Sequence, residues 1–177
     1  APALSLQDFV GYQQDLIVGA SIQVSAPLGQ YEGAKLVNLG NNRWSFKPEF
    51  GISKAWGRWT LEVMPSATFY TDNTDFNNGG RLAQAPLYQV QGHVIYSFPS
   101  GMWLAFNGTY YKGNRTTVNG VTPDNLQENT RAGLTLALPV DRHHSVKFYA
   151  SSGASTRTGS EFTAIGVAWQ YRWGGGY

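Results

Sequence analysis

Large apolar residues alternate one for one with small or polar residues along eight stretches, about 16–25, 44–54, 59–70, 87–98, 102–111, 131–140, 145–153 and 162–173. A side-chain period of two marks a β-strand with two unlike faces. In the first stretch Leu16, Val18, Ala20, Ile22 and Val24 oppose Gly19, Ser21, Gln23 and Ser25. In the second, Trp44, Phe46, Pro48, Phe50 and Ile52 oppose Ser45, Lys47, Glu49 and Ser53. The last sets Ile165, Val167, Trp169, Tyr171 and Trp173 against Gly166, Ala168, Gln170 and Arg172. Pro48 and Pro65 fall inside strands, where a missing N–H is an irregularity.

The connections alternate in length as regularly as the strands alternate in polarity. Long stretches at 26–43, 71–86 and 112–130 take turns with the tight "KAWGRW", "PSG" and "VDRHH", and "SGASTRTGSE" is again longer. Each strand has about the 9–11 residues that a tilted strand needs to cross a bilayer, and long outer loops with short periplasmic turns belong to outer-membrane barrels. The expected fold is therefore an all-β, transmembrane, antiparallel up-and-down β-barrel with about eight strands in this chain. Residues 1–15 form an N-terminal segment, a loop or a short amphipathic helix, and 16–177 form the barrel domain. A soluble lipocalin-like ligand-binding barrel, with its apolar faces turned inward, is the opposing reading.

Composition narrows the choice. Of 177 residues, 21 are glycine, 14% are aromatic and only 14% are charged, against about 25% charged in an average soluble domain. No apolar run approaches the about 18 residues that a spanning helix needs, and the mean hydropathy is −0.30. A membrane protein of this composition crosses with strands, because only helices and closed barrels satisfy every backbone group in lipid. The net charge of +2 with scattered basic residues argues against a nucleic-acid partner, and the absence of cysteine excludes thiolate metal sites and disulfides.

Several segments, read together, carry a family resemblance: "SAPLGQY", "NLGNNRWSFKPEFGIS", "TDNTDF", "APLYQVQGHVIYSF", "TYYKGN", "NTRAGLTLALPV" and "SSGASTRTGSEF". The chain resembles the bacterial outer-membrane family of the meta-pathway of phenol degradation, a transporter-like β-barrel family. The resemblance implies a channel or transporter for small molecules, aromatic ones among them, and no catalytic residues come with it. Members of the family carry sequence before the region that matches residue 1, which implies a native barrel larger than eight strands. The alternatives are a structural outer-membrane barrel with a plugged polar lumen and an outer-membrane lipid-modifying enzyme. The partners expected are outer-membrane lipids and lipopolysaccharide, the barrel-assembly machinery and a small-molecule solute, with the bacterial outer membrane as location and no cofactor.

The polar faces supply the candidate lumen groups Lys47, Glu49, Glu62, Gln89, Gln91, His93, Asn107, Arg131, Lys147 and Arg172. Both charge signs occur, so ion pairs across neighbouring strands could plug an eight-stranded lumen, and in a wider barrel the same groups would line a wet pore. Trp44, Trp56, Trp59, Trp103, Tyr171 and Trp173 stand near strand ends, as interfacial girdles require. Trp169, Tyr171, Trp173 and Tyr177 resemble the aromatic assembly signal that closes outer-membrane proteins. "RHHS" brings His143, His144 and Ser145 together, but a nucleophile needs a base within reach and a third group to orient it. Asp72, Asp75, Asn77 and Asn78 offer oxygen ligands without the glutamate that completes an EF-hand loop, so no metal is expected.

Overall fold

The computed structural model describes residues 15–35, 37–159 and 161–173. Among the described residues eleven strands form: β1 (Leu16–Ser25), β2 (Ser45–Trp56), β3 (Trp59–Tyr70), β4 (Asn73–Phe76), β5 (Gly80–Gln84), β6 (Leu87–Ser97), β7 (Trp103–Gly113), β8 (Thr116–Val118), β9 (Gln127–Pro139), β10 (His144–Thr156) and β11 (Ala164–Tyr171). Eight of them make one antiparallel sheet in the order β1-β2-β3-β6-β7-β9-β10-β11, each wall strand beside the next in the chain. These are the eight alternating stretches. Among the described residues the outer edges of β1 and β11 do not pair with each other. The segment expected at 1–15 lies outside the described residues except for Asp15.

Exposure along the strands is inverted relative to a water-soluble fold. In β2, Phe46, Pro48, Phe50 and Ile52 are exposed while Ser45, Lys47, Glu49 and Gly51 between them are half-buried. The same inversion holds in β3 and β11, and Val90, Val94, Leu134, Ile165 and Val167 are all exposed. Among the described residues the buried apolar ones are only Ala105 and Ala137, small side chains on the polar face. A soluble barrel with apolar faces inward is thereby overturned: a contiguous apolar exterior of this size needs a nonaqueous solvent.

Aromatic residues bracket that exterior. On β3, Trp59 and Phe69 are both exposed and ten residues apart, about 33 Å along a strand rising about 3.3 Å per residue. A tilt of about 40° reduces this to about 25 Å, the height of the apolar band in outer-membrane barrels. At one end Trp59, Tyr96 and Phe98 pack in series, with centroid distances of 4.8 Å for each pair. Trp44 and Phe46 stack at the other.

The tight turns share the first of these ends. Gly57, at φ +59°, lets Trp56 and Trp59 face each other across a two-residue hairpin, and Gly101, at φ +81°, closes the β6–β7 turn by donating to the Phe98 carbonyl. In the β9–β10 turn the Asp141 carboxylate accepts from the amides of His143 (2.7 Å) and His144 (2.8 Å). These bonds, chiefly that from His143, hold its carboxyl below the usual carboxylate range.

The long connections gather at the opposite end, where β4, β5 and β8 add a small three-stranded sheet absent from the sequence reading. Pro48 and Pro65 are accommodated within β2 and β3, and the ladder between those strands is interrupted beside them. Paired register runs through Ser45↔Tyr70, Phe46↔Phe69 and Glu49↔Ser66 and resumes at Ile52↔Val63. A residue without an N–H cannot complete its rung.

Candidate functional site

The polar face of β6, β7, β9, β10 and β11 lines a cavity of about 430 Å³. Five of the ten sequence-derived lumen residues meet there: Gln91, His93, Asn107, Arg131 and Lys147. Register explains the convergence, because His93 pairs with Asn107, Asn107 with Gly133, and Gly133 with Ser151 along one row of the sheet. Side chains of alternate residues on these strands must project to the same side.

Hydrogen bonds hold the wall of the cavity in place. His93 Nδ1 and Asn107 Oδ1 share a hydrogen bond of 2.6 Å, and Asn107 Nδ2 donates to Thr135 Oγ1 at 2.9 Å. The Arg131 guanidinium lies over the Phe162 ring at 3.8 Å and donates to the Phe162 carbonyl (3.0 Å) and Ser151 Oγ (3.3 Å). Tyr149 lies across Gly166 on the neighbouring strand, at a place where any side chain would collide with its ring. The sequence reading missed Tyr149, although its alternation with Phe148 already put it on the polar face.

Charge is unevenly distributed around this wall. Arg131 and Lys147 line the cavity, no carboxylate does, and neither cation has an ion-pair partner among the described residues. The acidic candidates stand on β2 and β3. Glu49 pairs with Lys47 at 3.2 Å along one strand, and Glu62 accepts from Ser53 Oγ at 3.0 Å. The expected cross-strand pairing of Lys47, Glu49, Glu62, Arg131 and Arg172 is thus reduced to one pair within β2. Gln89 is half-buried opposite Ser66 and Tyr111, and Arg172 lies just past β11, exposed, with its amide donating to the His143 carbonyl.

The aromatic candidates divide between the two faces. Trp44, Trp56, Trp59, Tyr171 and Trp173 are exposed, whereas Trp103 is half-buried and alternates in phase with Ala105 and Asn107, on the polar face. Of the assembly residues, Trp169, Tyr171 and Trp173 are exposed in a run of ring contacts, and Tyr177 lies outside the described residues. "RHHS" does not assemble a catalytic set. His144 stacks on Trp169 and its Nδ1 accepts from the indole N–H at 3.1 Å, while Ser145 points to the other face and meets Gln170 at 3.4 Å.

The loop end holds a second constellation. Asn73, 1% exposed, donates to Tyr31 Oη (2.8 Å) and accepts from Asn42 Nδ2 (2.9 Å) and the Asp75 amide (3.0 Å), tying the loop 26–44 to β4. Asp72 of the candidate cation loop is instead engaged by Arg81, whose Nε is 2.6 Å from it. Among the described residues no group of three or more His, Asp or Glu side chains is placed to hold a metal ion. Arg43 lies over the Tyr70 ring at 4.9 Å. Burial lowers its pKa from the ordinary arginine value, opposed by the fields of Tyr70 and Asp72.

Comparison with known proteins gives this geometry a context. Residues 10–171 match the family described as "Putative MetA-pathway of phenol degradation". The chain belongs to that family. No curated protein matches it. Among solved structures it is similar to an outer membrane channel from Pseudomonas putida F1, with a TM-score of 0.78 and 24% identity. The similarity covers 88% of this chain and 59% of the channel, so the chain spans less than two thirds of that protein's length. For this family member the likeness shows the fold, a transmembrane antiparallel up-and-down β-barrel, and accounts for the exposed apolar face and the polar cavity behind it.

Proposed function

We propose that the protein is an outer-membrane channel through which small solutes diffuse, with a preference for anions. The observation that carries the proposal is the cavity of about 430 Å³ on the polar face, lined by Arg131 and Lys147 and by no carboxylate. Charges facing a low-dielectric pore select permeants by sign, and two uncompensated cations favour anions. The similarity to an outer membrane channel supports the transport reading and the outer-membrane location. Unpaired strand edges are costly in lipid, so β1 and β11 are closed either by each other or by further strands. Outer-membrane lipids and lipopolysaccharide would contact the exposed rings, and the barrel-assembly machinery would read the aromatic face of β11.

Planar-bilayer recording across a KCl gradient tests this reading. The expected result is an open conductance whose reversal potential favours chloride, moving toward zero when Arg131 and Lys147 are both replaced by glutamine. A folded, membrane-inserted protein with no conductance would instead identify a structural barrel with a plugged lumen. An unchanged reversal potential in the double variant would remove these two residues from selectivity.

A further inference from the structure

At the loop end, where the proposed channel opens, Arg43 has a buried guanidinium nitrogen with no hydrogen-bond partner among the described residues. Arg43 stands two residues before Ser45 and so shares the polar alternation of β2, directly above the Ser45↔Tyr70 pair. Its guanidinium lies over the Tyr70 ring, and its Nη1 is buried without a hydrogen-bond partner among the described residues. An unmade bond at a buried guanidinium is costly, and a charged donor is the costliest kind to leave empty. The available acid does not meet that need, because Asp72 is already bound by Arg81.

Space adjoins this cation on two sides. A cleft of about 250 Å³ has Val37, Phe76, Leu82 and Tyr31 on one part of its wall, and Asn38, Asn41, Asn73 and Arg43 as its polar groups. A second, more polar cleft of about 210 Å³ is lined by Pro27, Leu39 and Tyr70 together with Ser25, Asn41, Ser45 and again Arg43. Each is smaller than the about 300–1,000 Å³ usual for ligand sites, so the occupant is compact. Val37, Phe76 and Leu82 give the first cleft an apolar side facing its amides, and the buried Asn73 hub fixes the loop that carries them.

We infer that Arg43 and the clefts beside it form an entry site for a small organic carboxylate with an apolar, single-ring body. The carboxylate pairs with the Arg43 guanidinium where it lines the clefts, and the ring lies against Val37, Phe76 and Leu82. The inference rests on the channel reading for its biological sense. Binding itself requires no conduction.

Calorimetric titration of the full chain in detergent micelles with benzoate tests the site, with heat-modifiable gel migration to report folding. Saturable binding is expected, weakened at least about tenfold in Arg43→Met. Arg115→Gln, at a surface ion pair with Asp124 elsewhere in the loops, should bind as the wild type does. Benzyl alcohol, which keeps the ring and lacks the charge, should fail to compete on the unaltered protein, and inorganic phosphate should compete far more weakly than benzoate. Absence of benzoate binding, equal binding by folded Arg43→Met, or equal competition by benzyl alcohol or phosphate would each overturn the site. Those measurements on the unaltered protein decide the matter even where Arg43→Met does not fold. A silent bilayer with intact benzoate binding would defeat the channel reading alone.

Discussion

Replacing Phe106 tests the inverted exposure of the sheet most quantitatively. Phe106 lies in β7, in register with Val94 and Leu134, and is 55% exposed on the apolar face. An aromatic side chain presents about 200 Å², so about 110 Å² of Phe106 is in contact with acyl chains. At about 25 cal/mol per Å² that contact stabilises the inserted fold by about 2.7 kcal/mol, which Phe106→Ala should remove. Phe106→Arg adds the cost of a charge near the bilayer midplane, about 2–4 kcal/mol relative to a small residue, for a total of about 5–7 kcal/mol. Ser66→Arg, on the polar face of β3 opposite Glu49, should cost less than about 1 kcal/mol, the range of an exposed ion pair and surface substitution. The assay is reversible guanidinium unfolding from phospholipid vesicles followed by tryptophan fluorescence. A soluble protein would gain or stay level with arginine at such an exposed position. Equal stability of Phe106→Arg and wild type, or an equal penalty at Ser66, would refute the assignment of faces.

Three further outcomes follow from particular contacts. Asn73→Ala should destabilise the loop end by about 1–3 kcal/mol, because it strands buried partners, and limited proteolysis should then cut within 26–44 before any wall strand. Gly166→Val should displace Tyr149 from its seat across β11 and cost about 1–3 kcal/mol as an overpacked position does, seen in the same unfolding assay. Asp141 has a carboxyl held low in the folded chain, so its ionised form adds stability above the ordinary carboxylate pKa of about 4. The advantage over Asp141→Asn should therefore be fully present at neutral pH and disappear as pH falls through the folded pKa, read as the difference in thermal midpoint.

The wall was legible in the sequence because one physical rule governs it: a strand between lipid and a wet interior must alternate at every residue, so Phe46, Phe50, Val90 and Ile165 announce both their strand and their face. Pro48 and Pro65 did not break that pattern, since the alternation depends on side chains while proline removes only an N–H. The loop end was not legible. β4, β5 and β8 are held by pairing with one another and by Asn73, whose amide looks in sequence like one more turn residue in "TDNTDFNNGG". Lumen residues were readable by type, but their partners were not. Lys47 meets Glu49 along its own strand, and Arg131 meets Phe162 and Ser151, because reach and register choose among neighbours that composition treats alike. Trp103 shows the limit of a rule based on strand ends: its position fits a girdle, whereas its phase puts it with Asn107.

The central claim is that the polar face lines a water-filled, conducting lumen. The chain contains no cysteine, so a single introduced thiol reports one position without interference. Thr109 lines the cavity in register with Arg131. The decisive measurement is single-channel current through Thr109→Cys in a planar bilayer before and after a sulfonate-bearing methanethiosulfonate reagent. A steady current that falls in a discrete step on modification is expected. A current unchanged by the reagent, or no current from inserted protein, would contradict the account.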